Sequence, residues 1–359
     1  MAHHVVATRS MRRRMRWSRP TVLTLLVLAS MAWLTPTLAA AQPAEGVQKD
    51  GSINGLKASF TDVGGIKTRY YEMGSGEPLV LLHGEGWSGH SSANVWSKNI
   101  AGLAKHFHVL AVDRLGSGMT DNPKEDKDYN ALGEVEHIYQ FVNVMKLGKI
   151  HLVGHSAGGA VAFYFAAAHP ELVKTLVIVG SGPETPDAGP RRLDALLKSC
   201  PKEPEAEAWK CRIKALAWLP DVAFNDEYWR AALYMAGLPK SLTTVAKIKA
   251  GAGEPMRGKA FQDWLKALWE RVRTEGPLQM PILMYWGKND SQDWLAADQT
   301  SKHQRGVSFY DILGEKNPRV KWTVHNKAGH FMYREYPDEF NYDIASFINY
   351  WKGQPTAAK

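Results

Sequence analysis

The chain predicts a doubly wound α/β fold, a mostly parallel sheet covered by helices, with a helical cap inserted late in the order. Three observations carry this. Short β-branched runs alternate with helical patterns from about Ala58 onward. Those runs are apolar on both faces, as strands of a covered parallel sheet must be. The rhythm then breaks over 181–277, where helical patterns and many aromatics occur without a convincing strand. The 359 residues, 45% hydrophobic and 22% charged, exclude a disordered or fibrous chain.

The first run, 66–71, reads as an edge strand closed by Gly74-Ser75-Gly76. Pro78–Leu82, His108–Val112, 150–153, 176–179, 281–285 and 320–324 follow as buried strands. Helical stretches lie between them, among them 132–145 and Ala157–Ala168; the latter must stop before His169, because Pro170 disfavours a helical residue ahead of it. Strand–helix alternation of this kind gives a doubly wound layer. The core is expected over 57–180 and 278–352, the cap over 181–277, a flexible segment over 42–56 and a tail over 353–359. Several cap aromatics (Trp209, Trp218, Tyr228, Trp229, Tyr234, Trp264, Trp269) are expected to wall an apolar pocket, the others forming the cap's own core.

The amino terminus reads as an export signal: arginines 9, 12, 13, 14, 16 and 19, an apolar run over 21–34, then Ala39-Ala40-Ala41. The run is shorter than the ~20 residues of a bilayer-spanning helix, so cleavage of 1–41 and a periplasmic or secreted protein without a stable membrane anchor are expected. Residues 1–41 hold six arginines and no acidic residue; without them 38 basic residues face 36 acidic ones, a net charge of +2. No basic cluster interleaved with aromatics remains, and nucleic acid is set aside as a partner. Cys200 and Cys211 can close a disulfide in an oxidising compartment, or stay as two unpaired thiols in helices. The oligomeric state is not legible.

Gly154-His155-Ser156-Ala157-Gly158 matches G-x-S-x-G directly after one strand and directly before a helix. Small residues are needed there because the turn is tight, and the turn pushes the Ser156 hydroxyl out at the carboxyl edge of the sheet. His83-Gly84-Glu85-Gly86 ends an earlier strand. Attack by Ser156 on a carbonyl needs two fixed N–H donors for the oxyanion, assigned to the backbones of Glu85 and Ala157. The His83 ring is expected only to brace the loop. Asp290 follows the strand 281–285 and can orient a histidine, with Asp293 as its rival. His330, after Gly329, is the expected base; His155 should point away from the serine oxygen, His325 is read as packing, and His106 and His108 lack a third ligand with metal spacing. No metal or organic cofactor is expected, and the partner is a small, apolar or aromatic substrate.

With Asp113-Arg114-Leu115-Gly116-Ser117-Gly118 added, the chain resembles the α/β-hydrolase superfamily over residues 57 to 352. Its motifs and the tail from Gly329-His330-Phe331 through Glu335 to Asn341 look most like the meta-cleavage product hydrolases. That resemblance implies a Ser/His/Asp triad cleaving a carbon–carbon bond in vinylogous diketo acids without a cofactor. His155 and Phe331 stand where that group commonly carries asparagine and tryptophan. Together with export, this directs the expectation to an esterase-like serine hydrolase acting on an ester, lactone or amide through an acyl-enzyme, with carbon–carbon hydrolysis or a non-turnover binding protein as alternatives. Dehalogenases and epoxide hydrolases of the same fold need an aspartate where Ser156 stands.

Overall fold

The structure is a computed structural model that describes residues 43, 45–181, 195–254, 258–292, 305–352 and 354. The expected leader, Asp293 and nearly all of the tail lie outside the described residues.

Among the described residues eight strands form one sheet: β1 (Ala58–Val63), β2 (Ile66–Met73), β3 (Pro78–Leu82), β4 (His108–Val112), β5 (Ile150–His155), β6 (Val173–Val179), β7 (Ile282–Gly287) and β8 (Val320–His325). Their spatial order is β1-β2-β4-β3-β5-β6-β7-β8. β1 pairs antiparallel with β2, and β2 with β4; every later pairing is parallel. β2 is therefore not the edge strand that 66–71 suggested. β1 lies outside it, joined by the Gly64-Gly65 turn, and escapes a reading based on apolar runs because only Ala58 and Val63 of its six residues are buried.

The two-residue period of the strands divides the core. Leu79, Leu81, Val153 and Val177 face a cluster closed by α8 (Pro337–Lys352) and by cap aromatics. Val80, Leu82, Leu152 and Ile178 face the other cluster. That second cluster is closed by α1 (Ala131–Val144), α2 (Ala157–Ala168), α6 (Lys259–Glu275) and α7 (Arg305–Gly314).

Among the described residues the longer cap helices are α3 (Glu205–Leu216), α4 (Asp226–Ala236) and α5 (Pro239–Lys249). α6 was expected within the cap and instead belongs to the sheet layer. Its stripe Leu265, Leu268, Trp269 and Val272, spaced i, i+3, i+4, i+7, is buried. Trp269 packs 5.3 Å from Phe163 and 5.8 Å from Phe309. Within 42–56, expected to be flexible, the described residues are held in place. Ile53 is buried, the Asn94 side-chain amide donates to the Gly51 carbonyl at 2.8 Å, and the Ser52 hydroxyl accepts from the Ala58 N–H.

Cys200 and Cys211 are joined, tying the turn before α3 to the middle of that helix. Arg69, Arg114 and Arg334 are buried. Arg69 makes a two-pronged pair with Asp113 at 3.1 Å, and Asp113 also accepts from the N–H groups of Ala93 and Met119. Arg334 has no acidic partner among the described residues; it donates to the carbonyls of Ala223 in the cap and of Asn94 and Val95 in the core.

Truncating Trp269 to alanine should cost about 3–5 kcal/mol of unfolding free energy, whereas truncating Trp218, 46% exposed, should change it by less than about 0.5. Urea denaturation of both variants checks this, and equal costs would contradict the placement of α6 on the sheet.

Candidate active site

Ser156 sits between β5 and α2 with φ 52° and ψ −128°. That is a sparsely populated conformation for a non-glycine residue, costing of order 1–3 kcal/mol. Its surroundings allow nothing larger on either side. A Cβ on Gly154 would lie 2.3 Å from the Gly158 carbonyl oxygen, and one on Gly158 would lie 2.2 Å from the His83 carbonyl oxygen. The Ser156 N–H donates to Val179 O at 3.0 Å, which fixes the turn to β6.

His330 follows the loop after β8 and Asp290 the loop after β7. The two are buried and meet at 2.7 Å, His330 Nδ1 to Asp290 Oδ2. The second oxygen of Asp290 accepts from the Gln292 N–H at 2.9 Å. An acid that accepts at Nδ1 leaves Nε2 as the unprotonated nitrogen of a neutral ring, the form a general base requires. Ser156, His330 and Glu85 line one cavity of about 210 Å³; Asp290 stands behind His330. Ala157, the first residue of α2, faces a neighbouring cavity on the other side of Glu85.

His155 is buried, and both its nitrogens are engaged. Nε2 lies 3.0 Å from the His330 carbonyl oxygen, which can only accept, so Nε2 carries the proton and Nδ1 accepts from the Tyr333 hydroxyl at 3.0 Å. The ring thus fastens the turn of Ser156 to the loop of His330. His83 plays the bracing part expected of it. Its Nε2 accepts from the Arg114 N–H at 3.0 Å and its Nδ1 faces the Ser91 hydroxyl at 2.9 Å. His325 stacks on Tyr336 and pairs with Glu339.

Glu85 is left-handed at φ 52°, which costs a non-glycine residue roughly 1–2 kcal/mol. Its carboxylate accepts from Trp209 Nε1 at 3.1 Å and pairs with Arg212, both on α3. One hydrogen bond to a charged group contributes about 1.5–3 kcal/mol, enough to offset the turn; the half-exposed Arg212 adds at most about 1. Glu335 works similarly on the other side. Buried, it accepts from the N–H groups of Gly329 at 2.9 Å and Trp218 at 2.8 Å. Burial pushes its carboxyl upward, and these donors oppose that shift. Arg212 and Tyr333 were not singled out from the sequence, and Trp209 and Glu335 were read only as a cap aromatic and as part of the tail, since nothing in a single chain says which helices will close on these loops. Of the seven cap aromatics, Tyr228 alone lines the cavity. Trp209 and Trp229 pack edge to face, 5.3 Å apart, as cap core.

The model of the α/β-hydrolase fold family matches residues 77–337. The chain belongs to that family. This α/β hydrolase is 41% identical over 123 residues to a 2-hydroxy-6-oxo-6-(2'-aminophenyl)hexa-2,4-dienoic acid hydrolase of Metapseudomonas resinovorans, an alignment covering 34% of this chain and 41% of that one. It is 29% identical over 301 residues to an uncharacterized protein of Mycobacterium tuberculosis, 81% of this chain and 80% of the other. Among solved structures, a variant meta-cleavage product hydrolase from Pseudomonas fluorescens IP01 is similar, with 26% identity, a TM-score of 0.62, and 82% and 98% of the two chains covered. These relatives place the hydrolase near the meta-cleavage group.

Burial keeps four histidines neutral in the folded hydrolase. His83 is lowered to about 3, His137 and His151 to about 4, and His155 well below its ordinary value. Unfolding releases them to an ordinary value near 6.5, so the unfolded chain binds more protons as pH falls. Their contribution is present above about pH 6.5 and is lost toward pH 4, each by up to about 1.4 kcal/mol per pH unit. The urea midpoint should therefore drop steeply between pH 7 and pH 5; a flat profile would contradict the buried neutral rings.

Proposed function

We propose that this α/β hydrolase is a serine enzyme that cleaves the bond beside a carbonyl of a compact, largely apolar molecule, and that its substrate is a vinylogous keto acid of the ring-cleavage type. The observation that carries the catalytic part is the buried 2.7 Å contact of Asp290 with His330, placed behind a cavity lined by both His330 and the strained Ser156. The relatives named as a dienoic acid hydrolase and as a meta-cleavage product hydrolase support the substrate class. A cavity of about 210 Å³ compares with the roughly 150 Å³ that holds benzene, so a substrate with one ring or a short chain fits within it. Val95, Ile213, Leu216 and Phe331 supply its apolar wall.

His330 takes the Ser156 proton as the oxygen attacks the carbonyl, and the N–H groups of Glu85 and Ala157 stabilise the oxyanion. The carbon–carbon bond then breaks. In the keto tautomer of the substrate the electron pair passes through the enone onto its distal oxo oxygen, His330 gives the proton to the dienolate so formed, and water releases the acyl group from Ser156 as a free acid. A neutral ester is the second reading, favoured by one feature: among the described lining residues the one lysine or arginine, Arg212, is already paired with Glu85.

We also propose that the protein works outside the cytoplasm, on the strength of the leader-like residues 1–41 and of the Cys200–Cys211 bond.

Loss of dienone absorbance from 2-hydroxymuconate semialdehyde, set against release of p-nitrophenol from short esters, separates the two readings. Ser156→Ala should abolish turnover by about 10⁶-fold, and Asp290→Asn should lower kcat by about 10⁴-fold. Ester turnover alone would move the assignment to an esterase, and activity surviving in Ser156→Ala would end it.

A further inference from the structure

Glu85 is an unusual residue to hold a left-handed turn, since its neighbours Gly84 and Gly86 adopt such backbones more readily. Gly86 is spoken for: a Cβ there would lie 2.5 Å from the Arg114 guanidinium. The strain therefore sits on Glu85, and its side chain leaves the loop to be gripped by Trp209 and Arg212 of α3. Trp209 is itself fixed, 3% exposed, stacked on His90 at 4.4 Å and edge-on to Trp229. The far end of the same helix holds the other half of the site. Leu216 O accepts from the His330 N–H at 2.8 Å, and Ala215 O accepts from the Ser291 hydroxyl at 3.2 Å. Cys211, bonded to Cys200, pins the middle of the helix beside Arg212.

We propose that Trp209 and Arg212 are positioning residues for the reaction, and that α3, through their grip on the Glu85 carboxylate, sets the direction of the Glu85 N–H toward the developing oxyanion. The inference rests on the reading of Ser156 as nucleophile. On this view the cap is a fixed part of the catalytic frame, tied at one end to the oxyanion loop and at the other to the loop of the base. An oxyanion exists only after attack, so the grip acts on kcat and leaves ground-state binding alone.

Two measurements test it. Selective ¹⁵N labelling of glutamate reports the Glu85 amide without any substrate. Its resonance should move in Arg212→Gln and in Trp209→Phe, and an unmoved resonance in both overturns the proposal even if Ser156 proves inactive. Steady-state kinetics then reads the consequence. Each substitution should lower kcat about tenfold to a hundredfold, with KM held within about twofold. Against a Glu85→Gly background, where no carboxylate remains to grip, neither substitution should lower kcat further. A raised KM at constant kcat, or effects that add fully to Glu85→Gly, would show instead that Arg212 and Trp209 bind substrate directly. Failure of turnover with an intact amide shift would count against the hydrolase reading and leave the positioning intact.

Discussion

The site depends on how closely two turns of the sheet edge approach. The turn after β5 and the loop after β3 touch at Gly158 and His83, where a single added carbon would come within 2.2 Å of a carbonyl oxygen. That contact holds Ser156 in a backbone conformation it would not otherwise keep, directs its side chain into the cavity, and brings the Glu85 loop beside it. The brace beneath is polar and buried. His83 ties to Arg114, Arg114 to Glu134 at 3.1 Å, and Asp113 to Arg69. Buried pairs of this sort add little net stability because desolvation consumes most of the attraction. Their visible effect is to fix the loops.

The cap is joined to this frame more tightly than a lid on hinges would be. α3 grips Glu85, its last turn accepts from His330, Trp218 donates to Glu335, and Arg334 donates to cap and core carbonyls together. A Cβ on Gly329 would strike the backbone of Trp218 at 2.4 Å. Catalytic groups gain from such support because an oxyanion donor or base contributes fully only within a few tenths of an ångström of its working position. The same contacts that support the catalytic groups also form the wall of the cavity, since α3 supplies Arg212, Ile213 and Leu216 to its lining.

His155 shows how a departure from a family pattern can be structural. It shares the turn of the nucleophile, yet both nitrogens serve Tyr333 and His330, and burial holds the ring neutral. A neutral ring can donate at one nitrogen and accept at the other, which suits a bridge between a hydroxyl and a carbonyl.

The sequence by itself determined the succession of strands from β2 onward, the tight turn at Ser156 and the order serine, acid, histidine, with Asp293 left beside Asp290, because each is written in local chemistry: apolar runs, small residues beside a serine, a glycine ahead of a histidine. It assigned Trp269 and its helix to the cap with the rest of 181–277, because a helical pattern does not say what its face packs against. Only the tertiary structure decided that α6 covers the sheet and leaves the cap smaller, that β1 lies outside β2, and that Trp209, Arg212, Tyr333 and Glu335 converge on the site. Periodicity reports that a face avoids water, and composition reports what a side chain can donate or accept. Neither reports the partner, because contacts between residues a hundred or more positions apart are fixed by how whole layers pack.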